Sequence, residues 1–229
     1  MQDLKTPYFF DLSVYAHAAL FLEGAYPWIA LAQISRYLKA ARLGHIEGTV
    51  SPQAYLFHPE LISIGPGSVV EPGAYIQGPC IIGANCTVRH GAYIRGNFIA
   101  GNRCVIGHDT EVKNSIFLDG VQAAHFAYVG DSILGNNVNL GAGTKCANLK
   151  LNHGAIIIHH NGQRLNTELK KLGAILGDRT QIGCNSVTNP GTLMGPEVLC
   201  YPCVNVGGFI PGHSRIKPQT TLSITPYQA

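Results

Sequence analysis

Charge is scarce in this sequence: Asp, Glu, Lys and Arg make up 13% of its 229 residues, against roughly 25% in an average soluble protein. Such a chain is neither disordered nor a coiled coil, both of which are rich in charged side chains. The 16 basic and 13 acidic residues leave a net charge of +3, and no cluster of basic residues forms the kind of patch or helix that nucleic acid requires. No run of about 18 uninterrupted apolar residues is present to cross a membrane. The opening MQDLKTPYFFDLS lacks the basic start, apolar stretch and small-residue cleavage site of an export signal. Together these absences predict a soluble, cytoplasmic protein. Seven cysteines in that setting do not suggest a disulfide framework. Cys200 and Cys203 form a single CxxC pair with no second pair to complete a zinc site, so no metal is expected, and the thiols read as small buried hydrophobes.

What the chain does have is glycine, 27 residues of it, and a repeat. From Ile64 onward every sixth residue is apolar, through Val88, Ile94, Ile106 and Val112 to Leu118 and Ala124. The period resumes at Leu134 and Leu140 and again from Leu176 to Val206. A helix would need spacings of three and four, and a simple strand alternates by two. Short extended segments joined by turns, with coil stacked on coil about 4.8 Å apart, satisfy a period of six and bury one continuous apolar row. The pattern resembles the hexapeptide-repeat proteins. That resemblance implies an all-β fold, a left-handed parallel β-helix over residues 49–217 with three six-residue sides per coil.

Three segments break the period. Residues 1–48 contain Pro27 followed by Trp28, Leu31, Ile34 and Leu38, the spacing of an amphipathic helix ending near Gly44, which is expected to cap the open end of the β-helix. Two consecutive steps of five, Ala124 to Val129 to Leu134, predict a shortened coil that lifts side chains off the wall beside His125. Residues 147–175 hold an Asn161-Gly162 pair between IIIHH and QRL, a hairpin signal, and predict an arm protruding from the prism. Residues 218–229 read as a carboxy-terminal tail.

The strings AAHFAYVGD and GNNVNLGAGT, at fixed separation, and the later KKLGAILGD narrow the resemblance. They are similar to the acetyltransferase half of the bifunctional glucosamine-1-phosphate acetyltransferase and N-acetylglucosamine-1-phosphate uridylyltransferase family, and to archaeal sugar-1-phosphate nucleotidyltransferases with a related acetyltransferase domain. No Gly-rich loop of the LAxGxGTRM kind precedes the repeat, so nothing in the chain is expected to cradle a nucleoside triphosphate. The resemblance implies acetyl-CoA as cosubstrate, an amino-sugar 1-phosphate as acceptor and a homotrimer with clefts between neighbouring prisms. It makes His125 the general base. An imidazole of reference pKa near 6.5 suits removal of a proton from an attacking amine. Arg89 and Lys113 match cationic contacts to the sugar phosphate, a ligand that favours fixed cations. Tyr128, Asn139 and Asn148 match sugar contacts, and acetyl-CoA is expected along the coil wall near Ala142 and Cys184. Leu149 stands where bacterial members have Tyr, and an additional hexad separates Arg89 from Lys113.

Other readings of the same residues remain open. Asn139 could belong to an internal asparagine ladder. His90 and His108, 18 residues apart, could stack with His125 nearby as a zinc site of the β-helical carbonic anhydrase kind. The chain could also be a noncatalytic trimeric scaffold or regulatory relative of sugar-nucleotide enzymes.

Overall fold

The computed structural model describes residues 2–219, so the expected tail lies, from residue 220 onward, outside the described residues. The chain winds into a left-handed parallel β-helix. Strands of two to four residues stack into three parallel sheets that form the faces of a prism. The first face has nine strands, from Thr49–Val50 to Arg215–Ile216; the second has eight, from Tyr55–Phe57 to Asn205–Val206; the third has eight, from Ile62–Ile64 to Phe209–Ile210. Chain order runs first face, second face, third face, and then onto the first face of the next coil.

The interior is the apolar row that the repeat predicts, with Val70, Ile76, Ile82, Val88 and Ile94 all buried. Five cysteines are buried as well, whereas Cys184 and Cys203 are exposed. Burial pushes the Cys80 thiol up to about 12 and that of Cys146 to about 11.

The row departs from the simple hexad at two places. Phe117, not Leu118, pairs with Ala100 and Leu134 and points inward, and Ala123, not Ala124, occupies the next interior position. The steps of five therefore fall at Val112 to Phe117 and at Val129 to Leu134. Both are at the corner between the second and third faces, where a residue is missing, and not beside His125. Because strand side chains alternate, a one-residue slip sends every following residue to the opposite face. Leu118 accordingly faces outward and packs beneath the amino-terminal segment.

The helix forms over Ile29–Ala40 and buries Ala30, Leu31, Ile34 and Leu38 along one stripe. It covers a flank of the prism instead of the open end that it was expected to cap. The outward positions of the third face include Ile99, Ile116, Ile133, Ile175 and Leu193, each fully buried, and Leu4, Phe9, Trp28 and Leu31 of the amino-terminal segment pack in the same cluster. Polar groups stitch the two together. The Asp11 N–H donates to Asp178 Oδ2 (2.9 Å), Asn136 Nδ2 donates to the Asp11 carbonyl (2.8 Å), and Tyr15 Oη donates to the Phe117 carbonyl (3.3 Å). Each buried aliphatic side chain is worth about 1.5–3 kcal/mol, so an open third face would be costly.

The hairpin also forms, Ile157–His160 against Gln163–Asn166, with Asn161 and Gly162 both at positive φ as its turn requires. It does not stand clear of the prism. Ile156 and Ile158 are buried in the third-face cluster, and His160 packs edge-on against Phe209 (ring centroids 4.4 Å apart) while bonding to Asp3 Oδ2 at 2.7 Å. One face of the hairpin is apolar, which makes return to the open flank favourable. Leu151, in the lead-in to the hairpin, is fully exposed.

Candidate functional site

With the third face covered, the first and second faces remain open, and the corner between them carries the histidines. His125 ends the strand Gln122–His125 and is exposed. Register pairs it with His108, and the column extends from His90 through His108 and His125 to Ala142 and Cys184. The His90 and His108 rings stack with centroids 5.6 Å apart, and each Nδ1 bonds to the carbonyl of the preceding coil, Pro72 at 2.8 Å and His90 at 2.9 Å. Those carbonyls accept only, so both rings carry the Nδ1 proton and turn Nε2 outward. His108 Nε2 lies 3.4 Å from Asp109 Oδ2. His125 is the ring of the column with both nitrogens free of protein hydrogen bonds among the described residues. Among those residues no three His, Cys, Asp or Glu side chains converge as metal ligands.

A second polar group lies across the second face, at its corner with the third. The buried carboxylate of Asp131 accepts from Lys113 Nζ at 2.9 Å and from Asn148 Nδ2 through Oδ2, and from Asn114 Nδ2 at 2.8 Å through Oδ1. Here the coil is one residue short, and Asn114 and Asp131 adopt positive φ to turn the corner. Gly130 is a glycine for steric reasons: a Cβ there would lie 2.6 Å from both Tyr128 Oη and Asn148 Nδ2. Lys113, Tyr128 and Asn148 thus come together, with Tyr128 lying on the face between this corner and His125.

Arg89 and Asn139 do not join them. Arg89 follows the strand Thr87–Val88 on the histidine corner, two coils before Ala124. In register beside Lys113 is Arg95, one residue past the pair Ile94 and Val112. Arg95 bonds to Glu111 Oε1 at 2.8 Å, and that carboxylate raises the guanidinium pKa further. The extra hexad between Arg89 and Lys113 was the signal for this: Arg95 and Lys113 are 18 residues apart, one regular coil. Asn139 is half-buried on the outside of the first face between Gln122 and Gln181, so it belongs to no internal ladder. An asparagine and aspartate ladder does exist, at the corner between the third and first faces. There Asn102 Oδ1, Asp119 Oδ1 and Asp178 Oδ1 each accept a backbone N–H of the preceding coil at 2.7–2.9 Å.

The GMPPB C-terminal domain model matches residues 76–221, more than half of the chain. The chain belongs to this family. The chain is also similar to larger proteins. A bifunctional sugar-1-phosphate nucleotidylyltransferase/acetyltransferase of Sulfurisphaera tokodaii is 37% identical over 92 residues, 40% of this chain and 23% of that protein. The bifunctional protein GlmU of Trichormus variabilis is 30% identical over 164 residues, 72% of this chain and 29% of that protein. The chain thus spans about a quarter of the length of these curated relatives. Among solved structures, the acetyltransferase domain of PglB from Neisseria gonorrhoeae in complex with acetyl coenzyme A aligns with 80% of this chain and 60% of that chain, at 19% identity and a TM-score of 0.30. Among the family member's described residues, no helix is long and apolar enough to cross a membrane.

Proposed function

We propose that the chain transfers the acetyl group of acetyl-CoA to the amine of an amino-sugar 1-phosphate, most simply glucosamine-1-phosphate. The observation that carries this reading is the column His125, Ala142, Cys184 on one open corner. Successive coils lie about 4.8 Å apart, so a linear pantetheine chain running along that corner past Cys184 and Ala142 brings its thioester to the imidazole. His125 takes the proton as the amine attacks, a task worth roughly a hundred- to ten-thousandfold in rate. Its two unengaged nitrogens suit a base that must meet its substrate from solvent. Tyr128 and Asn148 contact the sugar. In this proposal the neighbouring cations Arg95 and Lys113, each held by a carboxylate, receive the phosphate in place of the pair Arg89 and Lys113. Asn139, around the corner from Tyr128, serves a site completed by another copy of the chain, and the active form is a homotrimer.

The test is thiol release from acetyl-CoA with glucosamine-1-phosphate, in the unaltered protein and in His125→Ala. Release that depends on both the amine and His125 supports the proposal. No release with any amino-sugar phosphate overturns it in favour of a noncatalytic scaffold, and release that survives the substitution removes His125 from its role.

A further inference from the structure

Asp131 has no part in the chemistry above, yet it organises the residues that do. Its side chain is only 7% exposed and collects three side-chain donors, from Lys113, Asn114 and Asn148. Its backbone is fixed as well: the Asp131 N–H donates to the Lys113 carbonyl at 3.1 Å, and its carbonyl accepts from the Gly173 N–H at 2.8 Å. An ionised carboxylate can only accept. The Asn148 amide therefore has one permitted orientation, with Nδ2 toward Asp131 and its carbonyl oxygen turned away. Lys113 meanwhile has its charge matched in place by Asp131, so it enters the site as a steadied donor instead of a mobile cation. Tyr128 Oη and Asn148 converge over the bare surface of Gly130, within the space one methyl group would fill.

We infer that Asp131 is a positioning residue that sets the polarity of this spot: by holding Asn148 with its oxygen outward, it selects a hydrogen-bond donor, a hydroxyl or amino group, on the acceptor sugar. This rests on the sugar-acetylation reading for its substrate and on the Asp131 geometry for its direction. A carboxylate serving folding alone would not alter which acceptor sugars are taken, so the two roles differ in what they discriminate. With Asp131→Asn the amide of Asn148 loses its one-way constraint and can turn over. A misdirected or unmatched hydrogen bond of this kind lowers affinity by about ten- to a hundredfold.

The experiment compares glucosamine-1-phosphate with its singly deoxygenated and singly O-methylated analogues in steady-state acetyl transfer. The unaltered protein is expected to reject the analogues lacking a donor at one ring position. Folded Asp131→Asn is expected to lose that discrimination and to raise KM about tenfold or more, with kcat changed far less. Asn148→Ala, which leaves the pair of Lys113 and Asp131 intact, should erase the same discrimination, and it serves if Asp131→Asn does not fold. Side-chain amide NMR of the unaltered protein gives a readout that needs no turnover, since the Asn148 NH2 protons should exchange slowly beside Asp131. Unchanged analogue discrimination in folded Asp131→Asn or in Asn148→Ala, or rapid exchange of those protons, overturns the inference. If the unaltered protein transfers no acetyl group, the acetylation reading fails and the selecting role falls with it, while the amide measurement still tests by itself whether Asp131 holds the Asn148 amide.

Discussion

Along the third face the outward positions read Ile81, Ile99, Ile116, Ile133, Ile175 and Leu193, whereas the equivalent positions of the second face read Tyr75, Tyr93, Glu111, Tyr128, Lys145 and Val187. Both faces bury the same kind of interior row, and both follow the same coil. What differs is the alternate set of side chains, which the hexad leaves unconstrained. Aliphatic residues there drew in the amino-terminal helix and the hairpin. Aromatic and charged residues left the second face open to solvent and to ligands. In a prism of this type, then, inward residues specify the fold, and outward residues decide which face is structural and which can work.

The sharpest way to break the comparison is to place one charge on each face. Ile133→Asp, which buries an unpaired carboxylate beneath the amino-terminal segment, should cost about 4 kcal/mol or more in denaturant unfolding or prevent folding altogether. Tyr93→Asp on the open face, where the side chain is 40% exposed, should stay within about 1 kcal/mol. Equal losses would show that the second face is also covered in solution. Next in size, His125→Ala should lower kcat about a hundred- to ten-thousandfold while leaving the unfolding midpoint where it was, a separation expected only of a residue on the open side. Gly130→Ala drives a methyl group against Tyr128 Oη and Asn148 Nδ2 and strains the bond from Asn148 to Asp131. Stability should fall by about 1–2 kcal/mol, while the displaced groups raise the KM for the amino sugar about tenfold.

The smallest effect concerns the covered face. His17 donates to or accepts from Tyr37 Oη at 2.9 Å within the amino-terminal segment, and burial lowers its pKa below the usual 6.5, opposed by the Asp119 charge. The unfolded chain takes up this proton at higher pH than the folded one. The contribution of neutral His17 is therefore complete above about pH 6.5 and is lost as pH falls from there through the depressed folded value. Unfolding measured between pH 7.5 and pH 5.5 should show this decline, and His17→Gln should flatten it. An identical slope in the variant would assign the pH dependence to other groups.

Much of this is legible in the amino-acid sequence. The hexad gave the parallel β-helix because only stacked coils bury every sixth residue. Pro27 and the stripe from Trp28 to Leu38 announced the helix, and Asn161-Gly162 announced the hairpin turn. Where these elements would dock was not readable. Their apolar stripes fit any apolar partner, and the outward isoleucines of the third face are invisible to a period that counts only the interior. Register was the second obstacle. A missing residue after Val112 moved the interior positions to Phe117 and Ala123, a second after Val129 came one coil later at the same corner, and sequence spacing alone put both irregularities beside His125. In space they lie at Asn114 and Asp131.

Periodicity and side-chain type act locally along the chain, so residue order alone specifies the coil, its interior and the chemical kinds of residue available. That His125, Ala142 and Cys184 share one corner, that Arg95 instead of Arg89 lies beside Lys113, and that Asp131 joins Lys113 to Asn148 follows from packing in three dimensions. These are contacts between coils, fixed by register and by the lengths of the turns, and a single residue gained or lost at a corner redraws them all.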